Sequence, residues 1–269
     1  MPASEPSAER RRDCELLAGA VRDAGAVALK YFRGELKSWT KGKSESPVTE
    51  ADIASNDLLR ERLLAPGDGW LSEESENDPS RLDARRVWVV DPIDGTRAYM
   101  AGREDWSISA ALVEAGRPVA AALYAPATDE LFLATPGAGA TRNGVPMQAS
   151  GGSGLDGARI AGPKRMMERT AARAAGLIVV PRIHSLALRL VRVAQGEIDA
   201  AVAGGSGNDW DLAAADLLVH EAGGMITALD GKALIYNRPT PVHGVLIASG
   251  RERHRALLDI VRAQIGEPA

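Results

Sequence analysis

Cysteine, histidine and aromatic residues are scarce in this sequence of 269 residues, which has one cysteine, four histidines and 4% Phe, Trp and Tyr. The single cysteine, Cys14, excludes an intramolecular disulfide and a cysteine-based zinc cage, so we expect a reducing compartment. The histidines show no spacing typical of metal ligands, and we expect them on the surface or in helices, at positions 184, 220, 243 and 254. Thiol and zinc chemistry are therefore not predicted.

Long apolar runs and an excess of basic residues are also missing. No stretch approaches the roughly 20 apolar residues that a membrane-spanning helix needs. The N-terminus is polar and charged, unlike a secretory signal. The net charge is −4, from 32 Lys and Arg against 36 Asp and Glu, which argues against a general nucleic-acid binder. We expect a cytoplasmic globular protein with no membrane partner.

Two familiar catalytic patterns are incomplete or absent. The segment Lys41-Gly42-Lys43-Ser44 resembles the end of a P-loop, but that motif needs glycine at position 37, where Lys37 stands. Lys41 or Lys43 remains available to contact a phosphate. The sequence has no G-x-S-x-G motif and no Cys/His pairing, so we expect no covalent enzyme intermediate.

The most informative stretch is 87–96, with the sequence Val-Trp-Val-Val-Asp-Pro-Ile-Asp-Gly-Thr. Its four apolar residues predict a buried strand, which we expect to end at Asp91-Pro92 because proline cannot donate to a β-ladder. The side chains of Asp91 and Asp94, with the Ile93 carbonyl, then offer oxygen ligands to a hard cation. Gly95-Thr96 predicts a short helix whose free N–H groups can hold a phosphate. The alternative is that either aspartate only caps a helix.

Helices and strands alternate along the rest of the chain. Periodicity predicts helices over 7–32 and from Thr49 to about residue 65, with Asp52 as a capping acid, while 35–47 is polar and predicted to be a loop. Residues 106–135 predict antiparallel strands, and Asn143-Gly144 a hairpin. After a glycine-rich connector at 151–154, helices are predicted at 164–175, 185–195, 209–222 and 252–265, and strands at 177–180, 198–203 and 245–248. This pattern predicts a layered α/β protein.

Three motifs stand out along the chain: Ser72-Glu73-Glu74-Ser75, then Trp88-x-x-Asp91-Pro92-Ile93-Asp94-Gly95-Thr96, then Trp210-Asp211-x-Ala213-Ala214 with Glu221-Ala222-Gly223-Gly224. They resemble, in the same order, the Glu-Glu element, the first signature and the second signature of the inositol monophosphatase superfamily. The members of this superfamily are magnesium-dependent, lithium-sensitive phosphomonoesterases, and the resemblance covers nearly the whole chain.

The resemblance implies an architecture. It is the α/β (α+β) fold of inositol monophosphatase and fructose-1,6-bisphosphatase, a layered αβαβα sandwich. The chain would form a single phosphatase unit over 1–269, with an N-terminal lobe over 1–150, a C-terminal lobe over 155–269 and the active site between them. A homodimer is expected, because relatives are commonly dimers.

The resemblance also implies roles for individual residues. The metal ligands would be Glu73, Asp91, the Ile93 carbonyl, Asp94 and Asp211, holding two or three Mg²⁺ ions; Mn²⁺ is the alternative, because all-oxygen sites select hard cations. Thr96 and Asp52 would position the attacking water, with Glu74 near it. The substrate phosphate would be bound by Gly95, Thr96, Arg97 and Asp94.

Some of these residues have simpler explanations. Two adjacent acids such as Glu73 and Glu74 normally lie in a solvated loop. Asp211 would complement a helix dipole if it lies in a first turn. Trp210 alone is more typical of a core residue than of a substrate platform.

The substrate is expected to be a small phosphate ester. Inositol-specific members have a glutamate seven residues before the second-signature aspartate, and this chain has Gly204 there. Thr96-Arg97-Ala98-Tyr99 and Ala125-Pro126 resemble the CysQ type, so we expect a 3'(2'),5'-bisphosphate nucleotidase acting on adenosine 3',5'-bisphosphate, with Arg97 as a second charge contact. The alternatives are an inositol-1-phosphate phosphatase and an RNA or transcription-complex partner. The last would use basic clusters at 10–12, 85–86 and 182–192.

Overall fold

The computed structural model of the chain describes residues 7–41, 46–173 and 176–265, without the side chains of 171–173. The helices in these ranges are α1 (Ala8–Tyr31), α2 (Glu50–Leu63), α3 (Thr96–Met100), α4 (Lys164–Arg173), α5 (Leu186–Ala194), α6 (Asp209–Glu221) and α7 (Arg251–Ile265). The strands are β1 (Ser38–Lys41), β2 (Ser46–Thr49), β3 (Gly69–Ser72), β4 (Arg86–Asp94), β5 (Ser107–Glu114), β6 (Arg117–Ala125), β7 (Glu130–Ala134), β8 (Ala140–Arg142), β9 (Val145–Pro146), β10 (Arg159–Ala161), β11 (Ile178–Val179), β12 (Ala200–Ala203), β13 (Gly207–Asn208), β14 (Gly224–Ala228), β15 (Val242–His243) and β16 (Leu246–Gly250).

Two large sheets and three helical layers build the fold. One sheet has the order β3-β4-β5-β6-β7-β8-β9, and the other has the order β11-β10-β12-β16-β14. Helices α1 and α2 cover one face of the first sheet, α5 and α6 lie between the two sheets, and α4 and α7 cover the outer face of the second. The predicted αβαβα sandwich is confirmed.

The middle layer shares one apolar core with both sheets. Val89 and Leu123 of the first sheet, Leu190 and Leu218 of α5 and α6, and Ile226 of the second sheet belong to the same buried cluster. Burial of side chains this large contributes about 1.5 to 3 kcal/mol each. This packing fixes the starts of α5 and α6 relative to the end of β4.

The glycine-rich connector at 151–154 is bonded to α7. Arg253 donates to Ser150 Oγ and to the Gly151 carbonyl, both at 2.8 Å, and the Gly152 N–H donates to Glu252 at 2.8 Å. The division into lobes 1–150 and 155–269 stays a prediction. The bonds show that the start of this connector is anchored to the final helix.

Three local predictions were wrong. The segment 35–47 is not only a loop, because β1 pairs with β2 in an antiparallel hairpin through Trp39 and Val48, residue types that favour strands. Pro92 does not end β4. The strand continues to Asp94, and a register shift against β5 between Asp91 and Asp94 accommodates the proline. Strands β10 and β14 were not predicted, since β10 has three residues and β14 begins directly after the Gly223 cap of α6.

The histidine prediction also failed at one position. His243 is buried on β15, neither in a helix nor on the surface, and its Nε2 lies 2.7 Å from Asp209 Oδ1. His254 lies in α7 as expected, buried between the hydroxyls of Thr227 and Ser249 at 2.8 and 2.9 Å. Hydrogen-bond partners allow the imidazole rings to be buried. Among the described helices, none combines the length and the apolar character that crossing a lipid bilayer requires.

Candidate active site

The end of β4 carries two buried aspartates on either side of its bulge. Asp91 accepts a hydrogen bond from the Ile93 N–H at 3.0 Å, and Asp94 is the last residue of the strand. Gly95 follows with φ +96° and caps the short helix α3. A Cβ at Gly95 would lie 3.2 Å from Ser185 N and 3.3 Å from the Asp105 carbonyl oxygen. Glycine is therefore required here by both its backbone conformation and the close approach of two loops.

Helix α6 brings a third aspartate to the same place. Asp211 lies in its first turn and accepts a bond from the Asn208 N–H at 2.6 Å in a capping box. One carboxylate oxygen each from Asp91, Asp94 and Asp211 lie within 4.8 Å of one another. The structure therefore brings these three residues together, and Asp211 also lies in a first turn, where it complements the helix dipole as its simpler explanation proposed.

The start of α5 holds Asp94 in place, a contact that the sequence analysis missed. Asp94 accepts from the Ser185 hydroxyl at 2.5 Å, the Ala187 N–H at 2.6 Å and the Leu186 N–H at 3.2 Å. Ser185 is also the N-cap of α5. The N-cap serine was the available signal, but only the fold shows that it faces Asp94.

The three carboxylates are electrostatically unfavourable neighbours. Burial raises the pKa of Asp91 and of Asp211 well above the ordinary range, and nearby carboxylates raise both further. Burial also raises the pKa of Asp94 to about 6, against the opposing bonds from the start of α5. Either protons or a cation must therefore neutralise the cluster.

The donor set fits a hard divalent cation. All candidate side-chain ligands are carboxylate oxygens, which Mg²⁺ and Mn²⁺ favour over softer ligands. Asp91 Oδ2 is buried and has no hydrogen-bond partner in the part of the chain that the structure describes. An unpaired buried oxygen is costly unless a ligand satisfies it. The residues present therefore fit a metal ion, which would also satisfy this oxygen.

Glu73 and Glu74 are tied to Lys41 on the β1–β2 hairpin. Lys41 Nζ lies 2.5 Å from Glu74 Oε1 and 3.3 Å from Glu73 Oε1. Glu73 lines the same cavity as the aspartates but is outside their 4.8 Å group. Burial raises the pKa of Glu74 to about 7, although Lys41 opposes the shift. The solvated-loop explanation does not hold for Glu74, whose side chain is 3% exposed.

Lys41 was also considered, from the sequence, as a residue that could contact a phosphate. In the structure it contacts the carboxylates of Glu73 and Glu74. Lys43, the other residue considered for that contact, lies outside the described residues.

Thr96 lies between two oxygen acceptors at the start of α3. Its hydroxyl is 3.1 Å from the Ile93 carbonyl and 3.4 Å from Asp52 Oδ1. Asp52 in turn accepts from the Thr49 N–H at 2.8 Å and the Thr49 hydroxyl at 2.5 Å. Its own N–H donates to Thr49 Oγ1 at 3.3 Å, and the two reciprocal backbone bonds form the predicted capping box of α2. Burial raises the pKa of Asp52 to about 6, against the two bonds that its carboxylate accepts. Asp52 therefore caps a helix and also contacts Thr96.

A cavity of about 460 Å³ is lined by the acidic cluster and by basic side chains. The basic residues are Arg97, which was predicted from the sequence, and three that were not predicted as site residues: Arg103, Arg182 and His184. The remaining lining residues are Ser46, Pro47, Glu73, Asp91, Asp94, Gly95, Thr96, Ala98, Ala101 and Asp211.

Other residues of the motifs are structural. Glu221 accepts from the N–H groups of Gly137 and Gly139 at 3.0 and 2.9 Å, and so holds the loop between β7 and β8. Trp210 packs against the apolar core, as its simpler explanation predicted. These contacts stabilise the frame around the cavity.

The basic clusters considered for RNA binding contain many paired arginines. Arg10 donates to Glu114 at 2.6 Å, Arg86 to Asp13 at 2.7 Å and Arg192 to Glu130 at 2.6 Å. Arg189 is buried and donates to the Ile183 carbonyl at 2.7 Å. A phosphate backbone needs unpaired, accessible cations, so these contacts weaken the argument for a nucleic-acid partner.

Comparison with known proteins gives consistent matches. The sequence matches the inositol monophosphatase family over residues 11–265. It is similar to Nus factor SuhB of Xylella fastidiosa (32% identity over 80% of this chain and 82% of the relative) and to 3'-phosphoadenosine 5'-phosphate phosphatase of Mycobacterium bovis (34% identity over 81% and 82%). The fold is similar to the solved structure of the Thermotoga maritima IMPase, with a TM-score of 0.79 and 26% identity over 92% of this chain and 96% of that chain.

The acidic cluster predicts how stability depends on pH. In metal-free protein, Asp94 is protonated in both the folded and unfolded states well below pH 3.8, whereas above about pH 6 the folded state must ionise a buried carboxyl. The unfolding free energy should therefore fall as the pH rises through this window. We expect Asp94→Asn to make the unfolding free energy decrease less with pH, and Mg²⁺ to oppose the decrease in wild type. Each kcal/mol of unfolding free energy should change Tm by about 2 to 4 °C.

Thermal unfolding in a chelator, from pH 4 to 8, measures this effect. Asp57→Asn, an exposed position on α2, is the matched control and should leave the slope unchanged. Parallel pH profiles for wild type and Asp94→Asn would contradict the assigned repulsion.

Proposed function

The chain belongs to the inositol monophosphatase family, whose members are phosphatases, and we propose that it hydrolyses a small phosphate ester with water activated at a magnesium centre. The observation that carries the proposal is the convergence of Asp91, Asp94 and Asp211 around one point, with Asp91 Oδ2 unpaired. Two buried carboxylates and a half-buried one beside a polar cavity suit a cation and an anionic substrate better than they suit a folding role.

The metal centre is proposed to use the three aspartates together with Glu73 and the Ile93 carbonyl. The last two rest on the family resemblance, and the Ile93 carbonyl can accept from Thr96 while keeping a second lone pair. Bound Mg²⁺, in two or three ions, or Mn²⁺ in its place, would supply a water of lowered pKa and neutralise charge on the phosphate.

Thr96 and Asp52 are proposed to orient the attacking water. When Asp52 is ionised it accepts a hydrogen bond from the Thr96 hydroxyl, which leaves a Thr96 lone pair to accept from that water. The water oxygen forms the new bond to phosphorus and gives up a proton, the ester P–O bond breaks, and the departing oxygen takes a proton from solvent, so that one water is consumed for each ester. Glu74, whose pKa burial raises to about 7, is a further candidate to hold a proton near this site.

The substrate phosphate is proposed to bind at the start of α3. Gly95 is the N-cap of this helix and Thr96 its first residue, so their N–H groups lie at the end where a helix leaves N–H groups free for an anion. Arg97 is exposed on the cavity wall, and its guanidinium can bind phosphate oxygens in bidentate fashion. These groups bind and orient the ester without forming a covalent bond to it.

The preferred substrate is proposed to be adenosine 3',5'-bisphosphate, in a cytoplasmic enzyme that forms a homodimer. Arginines on the cavity wall favour a substrate with more than one phosphate, and Gly204 supplies no carboxylate for inositol hydroxyls. The similarity to 3'-phosphoadenosine 5'-phosphate phosphatase agrees with this choice. Inositol 1-phosphate is the alternative substrate.

Phosphate release from a panel of esters tests the proposal. With Mg²⁺ present, we expect the highest kcat/KM on adenosine 3',5'-bisphosphate, and lower values on inositol 1-phosphate and fructose 1,6-bisphosphate. Chelation should abolish release, and Li⁺ should inhibit it. Asp94→Asn should lower kcat/KM at least about 100-fold, since changes outside the ligand shell alone cost about 10- to 100-fold. An active Asp94→Asn enzyme would remove Asp94 from the metal centre.

The role of Thr96 predicts a separate outcome. Thr96→Ala removes the hydroxyl, so kcat should fall by about 10² or more, as expected for a lost proton-transfer partner. Thr96→Ser keeps the hydroxyl and should retain most of the activity. Equal kcat values for the two variants at saturating Mg²⁺ would contradict the role of the hydroxyl.

A further inference from the structure

Two loops at the cavity wall are fastened to each other by Asp105. One loop follows α3 and the other precedes α5. The Asp105 carbonyl accepts from the Ser185 N–H at 3.1 Å, and its carboxylate accepts from the His184 N–H at 2.8 Å. The His184 ring nitrogen Nδ1 lies 2.6 Å from the same carboxylate. The loops are therefore joined by backbone and side-chain bonds, next to the aspartates that bind the proposed metal.

Each loop is also hydrogen-bonded to an arginine outside it, the first loop to Arg33 after α1 and the second to Arg189 of α5. Arg33 donates to the Gly102 carbonyl at 3.0 Å and lies 3.1 Å from Glu104. Buried Arg189 donates to the Ile183 carbonyl through Nε at 3.0 Å and Nη2 at 2.7 Å. Because the loops are already held in place, ligand binding costs less conformational entropy than it would with free loops.

The anchored loops carry Arg103 and Arg182 to the cavity wall. Arg103 Nε lies 3.0 Å from Asp105, an acid already shared with His184. The guanidinium of Arg182 has no hydrogen bond or ion pair with any other described residue, and its charge is close enough to buried Arg189 to lower the pKa of that arginine. Within the residues that the structure describes, the positive charge of Arg182 therefore has no acidic partner.

A phosphate fits this surplus of charge. The phosphate to be hydrolysed is proposed to lie at the start of α3, beside the acidic cluster. A second phosphate of the same substrate would carry about −1.5 to −2 charges at pH 7. Guanidinium groups bind phosphate oxygens through paired N–H donors, and the two loops are held before the ligand arrives.

We propose that Arg103 and Arg182 bind the phosphate that is not hydrolysed, and that this pair determines the preference for bisphosphate over monophosphate substrates. This inference rests on the proposed function, because it assumes that the first phosphate is hydrolysed at the acidic cluster. It adds two specificity-determining residues, one from each of the two joined loops.

The test compares adenosine 3',5'-bisphosphate with adenosine 3'-monophosphate as substrates of wild type, Arg103→Ala and Arg182→Ala. The ratio of the two kcat/KM values should fall about tenfold in each variant, which corresponds to about 1.4 kcal/mol. Arg182→Lys keeps the positive charge but loses the paired guanidinium donors, so the ratio should fall less than in Arg182→Ala. Arg255→Ala, an exposed arginine on α7 away from the cavity, is the control and should keep the wild-type ratio.

Distinct results separate the inference from the function on which it rests. A wild-type preference for the bisphosphate that survives both alanine substitutions would overturn the role of the two arginines alone. Equal kcat/KM values in wild type would contradict the proposed substrate. Thermal unfolding checks that each variant folds. In wild type the bisphosphate KM should also rise more steeply with salt than the monophosphate KM, and equal salt slopes would count against the pair.

Discussion

Repulsion among Asp91, Asp94 and Asp211 is the constraint on which the rest of the structure depends. Two unit charges about 4 Å apart repel by about 4 kcal/mol at an effective dielectric of about 20, and these side chains lie around one point with little solvent. Folding alone gives no reason to place them together. A cation that binds all three would turn the repulsion into attraction and prepare the site for an anionic ester.

The αβαβα arrangement is what makes this convergence possible. The bulge at the end of β4 presents Asp91 and Asp94 on either side of Pro92, and the first turn of α6 presents Asp211. Both elements are fixed by the apolar core that the middle helical layer shares with the two sheets. The start of α5, held in the same layer, adds the bonds that orient Asp94. The site residues thus lie at the ends of a strand and two helices, and burial of the apolar core stabilises the positions of these elements.

Local signals in the sequence were sufficient for much of the fold. The Thr49–Asp52 capping box, the buried strand before Asp91 and the Asn143-Gly144 hairpin follow from short-range chemistry, and each is present in the structure. The set of aspartates could also be predicted, because three motifs occurred together. Contacts between distant segments could not be predicted: Ser185 on Asp94, Lys41 on Glu74, and Asp105 on His184. Serine, lysine and aspartate are common at such positions, and only the packed chain determines which of them meet.

The charged residues that line the cavity indicate which ligands it can bind. The lining includes carboxylates, which suit a cation, and guanidinium groups, which suit an anion. Thr96 lines the same cavity, and its hydroxyl contacts Asp52 behind it. The most direct test of the metal centre is anomalous diffraction from crystals soaked in Mn²⁺. The account predicts strong peaks bonded to Asp91, Asp94 and Asp211; saturating Mn²⁺ with no peak among these three side chains would contradict it.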